Sequence, residues 1–196
     1  MNQLDILVEE VSIAEVIKVI LPKVLPDGWQ VNENVFIRVH EGKQDLKDSI
    51  PRKLKAAQHG NSKRGFVIVQ DQDANDCRAL KSQLVSCCDS ALEGVRKDIP
   101  YKVRIVCHEL EAWYLGDMPA IAKVFPKFKV EKQENRAIFR NPDKCICPKN
   151  ELKKVVGDYG QIIMAKSMAP LMDPHENRST SFHSFFDGVL KVIREL

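Results

Sequence analysis

The sequence predicts an α/β fold, a mostly parallel sheet flanked by helices. Three observations carry that reading. The run Phe66-Val67-Ile68-Val69 is apolar, rich in β-branched residues and bounded by Gly65. That is the composition of a strand buried on both faces. Residues 4–8 and 103–107 form two more short apolar runs of the same kind. Between the runs, apolar residues recur at helical spacing, as in Ile13, Val16, Ile17, Ile20 and Val24, or Leu80, Leu84, Cys87 and Ala91. Strands alternating with helices are the pattern of a parallel sheet with helical crossovers.

The chain has 196 residues, 44% of them hydrophobic, enough to bury a core. The expected organisation is a core over residues 1–117, with a helical or irregular extension over 118–196 packed on it. No run approaches the ~20 apolar residues of a membrane span. No basic segment precedes an apolar stretch at the N-terminus. The reading is a cytoplasmic protein that meets no membrane. The six cysteines are scattered and favour free thiols over a disulfide framework. Cys145 and Cys147 could join a zinc site with His108 or His175, but the Cys-x-x-Cys spacing is missing. A net charge of +3 names no partner.

In chain order, residues 4–8 read as a first strand ending at Glu9-Glu10. Ser12 and Glu15 have the spacing of a capping box for the helix that follows. Val35–Val39 reads as the second strand, His40-Glu41-Gly42-Lys43 as its turn, and residues 45–58 as a helix that Pro51 either kinks or starts. The apolar run at 66–69 then ends in Asp71-Gln72-Asp73, and Asp76 is placed to cap the next helix. The fourth strand runs over 103–107 and ends in His108-Glu109-Leu110-Glu111, where a helix begins. Residues 125–148 are weakly patterned and punctuated by prolines, as in a long excursion or lid. Residues 151–156 and 162–171 read as helices. Ser179 and its neighbours open a last helix with the apolar stripe Phe182, Phe185, Phe186, Val189, Leu190 and Ile193.

Carboxylates therefore follow three predicted strands: Glu9, then Asp71 and Asp73, then Glu109 or Glu111. One acidic strand end is a turn or a cap. Three in a parallel sheet share one edge, and clustered carboxylates need a cation to offset their repulsion. Hard oxygen ligands suit Mg²⁺ or Mn²⁺. Glu10 is either a further ligand or first-turn charge. Glu109 is expected to border the site and Glu111, two residues into a helix, to point elsewhere. From Lys43 to Arg64 there are seven basic residues against two acids. The bland reading is a solvated helix face; the sharper one is a phosphate-binding surface.

A glutamate after the first strand and an Asp-x-Asp after a later one resemble the Toprim pattern, here Leu7-Val8-Glu9-Glu10 and Val69-Gln70-Asp71-Gln72-Asp73. Together with His40-Glu41-Gly42-Lys43, the block Glu109-Leu110-Glu111-Ala112-Trp113-Tyr114-Leu115-Gly116-Asp117 and Asn177-Arg178-Ser179-Thr180-Ser181-Phe182, they resemble a bacterial Toprim-like family, domain of unknown function 4276. The resemblance spans nearly the whole chain. It implies a Toprim-like, Rossmann-like sheet and a metal-dependent phosphodiester chemistry. It also implies a possible ATPase partner in defence against phage. Glu10 stands where many Toprim proteins have glycine.

The expected activity is a Mg²⁺- or Mn²⁺-dependent nuclease. Asp71 and Asp73 would hold metal, with Glu109 or Glu111 completing the shell, and Glu9 would bind metal or act as general base. Lys43, Arg52 and Lys53 would contact the phosphates of a nucleic acid. Tyr101, Tyr114 and Tyr159 sit in strand, helix and loop contexts that disfavour a topoisomerase. The alternative is a non-catalytic nucleic-acid-binding or regulatory subunit. The chain has no phosphate-binding loop of the Gly-x-x-x-x-Gly-Lys type, so ATP hydrolysis would come from a partner.

Overall fold

The computed structural model describes residues 2–59, 61–95 and 98–196. Four strands form one sheet: β1 (Gln3–Val8), β2 (Val35–Val39), β3 (Arg64–Asp71) and β4 (Tyr101–Val106). Their order is β2-β1-β3-β4, and every pairing is parallel. Parallel neighbours cannot be joined by a tight turn, so each crossover is a helix. These are α1 (Val11–Ile20), α2 (Lys43–Ala57) and α3 (Cys77–Leu92). The arrangement is Rossmann-like. The chain winds from β1 to β2 on one side, and α2 then carries it back past β1 to β3 on the other. Where winding reverses, the crevice beyond the strands' carboxyl ends is the ligand site of open α/β sheets. Here that crevice lies between β1 and β3.

Side chains alternate between two cores, as strand geometry requires. Leu4, Ile6 and Val8 of β1 join Val67 and Val69 of β3 on one face, while Leu7, Phe66 and Ile68 face the other. The second core is closed by α2 and α3 through Leu46, Ile50, Leu54, Leu80, Leu84 and Cys88. The first is closed by α1 and by the helices after β4. Those are α4 (Glu111–Leu115), α5 (Met118–Val124), α6 (Val130–Gln133), α7 (Ala137–Arg140), α8 (Pro148–Val156), α9 (Gln161–Met168) and α10 (Thr180–Glu195). Residues beyond 117 thus contribute core: Phe182, Phe185 and Val192 are fully buried in it. Trp113, also fully buried, donates Nε1 to Ser181 Oγ at 3.0 Å and meets Phe182 edge-on. Gly65 leaves room for α10, since a Cβ there would strike Val192.

Several local expectations change. α1 starts at Val11, with Glu10 extended at its N-cap, so Ser12 lies inside the helix and no capping box forms. The Ser12 hydroxyl donates to Glu10, and Glu15 pairs with Lys18 at 2.7 Å. Pro51 sits inside α2 rather than at its start. Having no N–H, it leaves the Lys47 carbonyl unclaimed by the helix, and Cys87 Sγ lies 4.0 Å from that oxygen. Residues 125–148 hold α6, α7 and a 3-10 turn at Pro142–Lys144, anchored by Phe128, Phe139 and Cys145. The caps at Asp76 and Ser179 form as expected, accepting from Ala79 and Phe182 N–H at 2.8 and 3.1 Å.

Candidate functional site

Val8 of β1 and Val69 of β3 are register partners, so Glu9 comes level with Gln70 and Asp71 ends β3 one residue further. The Asp71 N–H donates to Glu9 Oε2 at 3.2 Å. Paired strands lie about 5 Å apart, and this alone brings together residues far apart in sequence. Gly42 N–H donates to the Glu9 carbonyl at 3.1 Å, tying the turn after β2 to the end of β1. Gly42 has φ +92°, a left-handed backbone open to glycine at little cost. It sets Lys43, the first residue of α2, against Asp73, and the two side chains pair.

The loops after β3 and β4 are linked as well. Asp73 N–H donates to the His108 carbonyl at 2.7 Å, and His108 N–H donates to Gln72 Oε1 at 3.3 Å. Both Asp73 and His108 have positive φ, +49° and +58°. That conformation is uncommon outside glycine, though aspartate and histidine adopt it more readily than most.

Asp71 is only 8% exposed, and its Oδ1 has no hydrogen-bond partner among the described residues. Burial, reinforced by Glu10, Glu9, Asp73 and Glu111, holds its carboxyl well above the usual carboxylate range. Burial also pushes Glu9 up to about 7, against the pull of Lys43 and the Asp71 N–H. Asp73 and Glu10 add to that rise. Burial disfavours the Lys43 ammonium, but Asp73, Glu9 and Asp71 outweigh it and hold the lysine above its ordinary value.

On the β4 side Glu109 stands at the cleft as expected, while Glu111 turns inward rather than away. Glu109 borders the cleft with Asp73 and His108, but its Oε2 accepts from the Lys149 N–H at 3.1 Å, at the start of α8. Glu111 is 3% exposed, accepts from the Tyr159 hydroxyl at 3.0 Å, and is the one whose charge acts on Asp71. The helix begins at Glu111 itself, and its first residue faces the core rather than away. Tyr114 is buried in the same cluster, its hydroxyl without a partner among the described residues. Burial, then Glu111, Tyr159, Glu10 and Asp71, raise it well above its ordinary value. Tyr114 and Tyr159 had no legible signal, because only the fold sets them beside Glu111. Arg52 and Lys53 stand on α2 about 13–15 Å along the helix from Lys43, Arg52 exposed.

Among the described residues, no three carboxylate, imidazole or thiol groups stand together as a metal shell. The Lys43 ammonium supplies the local positive charge instead. The donor chemistry nevertheless fits a hard divalent cation: carboxylate oxygens, one of them buried without a partner, in a site where burial and like charge keep two carboxyls from ionising easily. The six cysteines are free, Cys145 buried and Cys147 exposed.

The family model described as domain of unknown function (DUF4276) matches residues 8–190. The chain belongs to that family. No curated protein and no solved structure matches it. The DUF4276 match runs from the last residue of β1 into α10 and takes in every carboxylate of the cleft. Among the described residues, no helix of this DUF4276 protein is long and apolar enough to cross a membrane.

Proposed function

We propose that this DUF4276 protein is a Toprim-type nuclease that hydrolyses phosphodiester bonds with Mg²⁺ or Mn²⁺. The observation that carries the reading is Asp71. It is a buried carboxylate with an unpartnered oxygen, at the switch point of a parallel sheet, among Glu9, Glu10 and Glu111. A carboxylate so placed either keeps its proton or recruits a cation. Asp71 and Asp73 would hold the ion, joined by Glu10 and by Glu9 where it is not the base, and would have to draw closer than they stand, with Glu111 behind Asp71 and Glu109 at the margin. Bound there, it would polarise a phosphoryl oxygen and offset charge on the leaving oxygen. Where Glu9 is not a ligand, its raised carboxyl suits it to take the proton of an attacking water at neutral pH. Lys43 would exchange its pairing with Asp73 for a phosphate oxygen, and Arg52 and Lys53 would follow the nucleic-acid backbone along α2.

A second reading is favoured by the Lys43–Asp73 pair itself. An ammonium that already neutralises the carboxylates suits a non-catalytic subunit that binds nucleic acid and acts through a partner ATPase. Supercoiled plasmid incubated with Mn²⁺ separates the two. The nuclease reading expects nicking by the wild type and its loss in Asp71→Asn. Plasmid binding without cleavage in either protein leaves the regulatory subunit.

A further inference from the structure

Beside the carboxylates is an opening of about 490 Å³, lined among others by Asp73, Asn75, His108, Glu109, Ile146 and Asn150. It shares Asp73 and Glu109 with the cleft, and its far wall is the segment leading into α8. Neither lysine nor arginine lines it, and Lys43 is not among its walls. Lys43 is already taken by Asp73 and lies outside the opening, so a phosphate would meet carboxylates there, and the opening is suited to a neutral group. Its spare polar atoms favour hydrogen-bond donors on the ligand. Asn75 gives its Nδ2 to the Gln72 carbonyl and keeps Oδ1 free, and Glu109 has one oxygen beyond the one that accepts from Lys149. Its apolar surface comes from Ile146, which is 78% exposed, and its flat surface from the His108 imidazole.

We propose that this opening is a nucleobase subsite, and that it prefers bases with an exocyclic amino group, adenine, cytosine and guanine, over uracil and thymine. The proposal rests on the reading of the neighbouring cleft as a phosphodiester site. The phosphate lies on the Lys43 side, and the base of the adjoining nucleotide turns into the opening across Asp73. The free Glu109 and Asn75 oxygens can accept both hydrogens of an exocyclic amino group, whereas uracil and thymine offer a single imide N–H. His108 and Ile146 cover the ring faces.

The test is calorimetric titration of the full chain, with EDTA present, using AMP, UMP and ribose 5-phosphate as probes. All three carry the same charged group, so differences among them report on the base. AMP is expected to bind on the order of tenfold more tightly than ribose 5-phosphate, the range of a stacked base, and more tightly than UMP. Ile146→Asp, an exposed substitution that spares the fold, should bring AMP down to the level of ribose 5-phosphate. Equal affinity for AMP and ribose 5-phosphate, no AMP binding, or unchanged AMP affinity in folded Ile146→Asp would each overturn the subsite. No phosphodiester bond is cut in this titration. Base selectivity in a protein that never cleaves plasmid keeps the subsite and removes the nuclease. Cleavage without base selectivity does the reverse.

Discussion

Asp5, near the amino end of β1, and Asp71, at the carboxyl end of β3, are both buried carboxylates on the same strand pair, and they are treated in opposite ways. Asp5 is 1% exposed and both its oxygens are engaged: Oδ1 with Arg38 at 2.9 Å, Oδ2 with Arg64 at 2.7 Å and with Gln3 at 2.9 Å. Asp71 is 8% exposed, its Oδ1 has no partner, and Glu10, Glu9, Asp73 and Glu111 all act on it with like charge. At one edge of the sheet the fold supplies two guanidiniums for one carboxylate. At the other it gathers carboxylates, and the ammonium paired with one of them is Lys43. A chain with 30 lysines and arginines had the means to pair both. The contrast separates a carboxylate paired within the fold from carboxylates that the fold leaves short of partners.

The largest expected effect tests that separation through stability. Asp5→Ala strands two arginines and should cost about 2–3 kcal/mol in urea unfolding, less than for a fully buried pair because both arginines are partly exposed. Asp71→Asn removes a charge that is unfavourable where it sits. It should be neutral or stabilising by up to about 1 kcal/mol in metal-free protein. Equal losses from both substitutions would mean that the two edges are alike.

A smaller effect is expected from pH. Glu9 is raised from 4.5 to about 7 in the fold, so between those values the native state binds more protons than the unfolded chain. Its contribution to stability is complete below about pH 4.5 and is lost as pH climbs through about 7. Glu9→Gln should flatten that part of the stability profile. A wild-type profile already flat from about pH 5 to 8 would count against the shift.

Smaller still is the effect of Lys43. Lys43 lowers the Glu9 carboxyl, so Lys43→Met should move its titration, followed by carbon NMR, further above about 7. The same substitution should weaken binding to mixed-sequence DNA and reduce its log–log salt slope by about one. Arg52→Ala, at an exposed position, should change stability by less than about 0.5 kcal/mol, and any loss it causes should appear only in nucleic-acid affinity. An unchanged salt slope in both variants would return α2 to a merely solvated face.

The strands were legible because their apolar runs are short, β-branched and bounded, and the parallel sheet followed from the helical spacing between them. The placement of Glu9 beside Asp71 was legible for the same reason, since parallel strands deliver their carboxyl ends to one edge. Helix starts were harder. Ser12-x-x-Glu15 has the spacing of a capping box, but extended backbone at Glu10 begins the helix earlier and leaves Ser12 inside it. For Glu109 and Glu111 the sequence offers only the start of a helix, which points Glu111 away from the strand ends. Their roles depend instead on α8, whose first turn claims Glu109, and on Tyr159, which reaches Glu111 from 48 residues away. No local pattern encodes either contact.

The open carboxylate edge is expected to take a divalent cation, and calorimetric titration with Mn²⁺ reads that binding. Wild-type protein should bind Mn²⁺, more tightly as pH rises through about 7, because Glu9 and Asp71 must release protons to do so. The Asp71→Ala, Asp73→Ala double variant should keep a native circular dichroism spectrum and lose the binding. Unchanged Mn²⁺ affinity in that folded double variant, or no binding by the wild type across the same pH range, would contradict the claim.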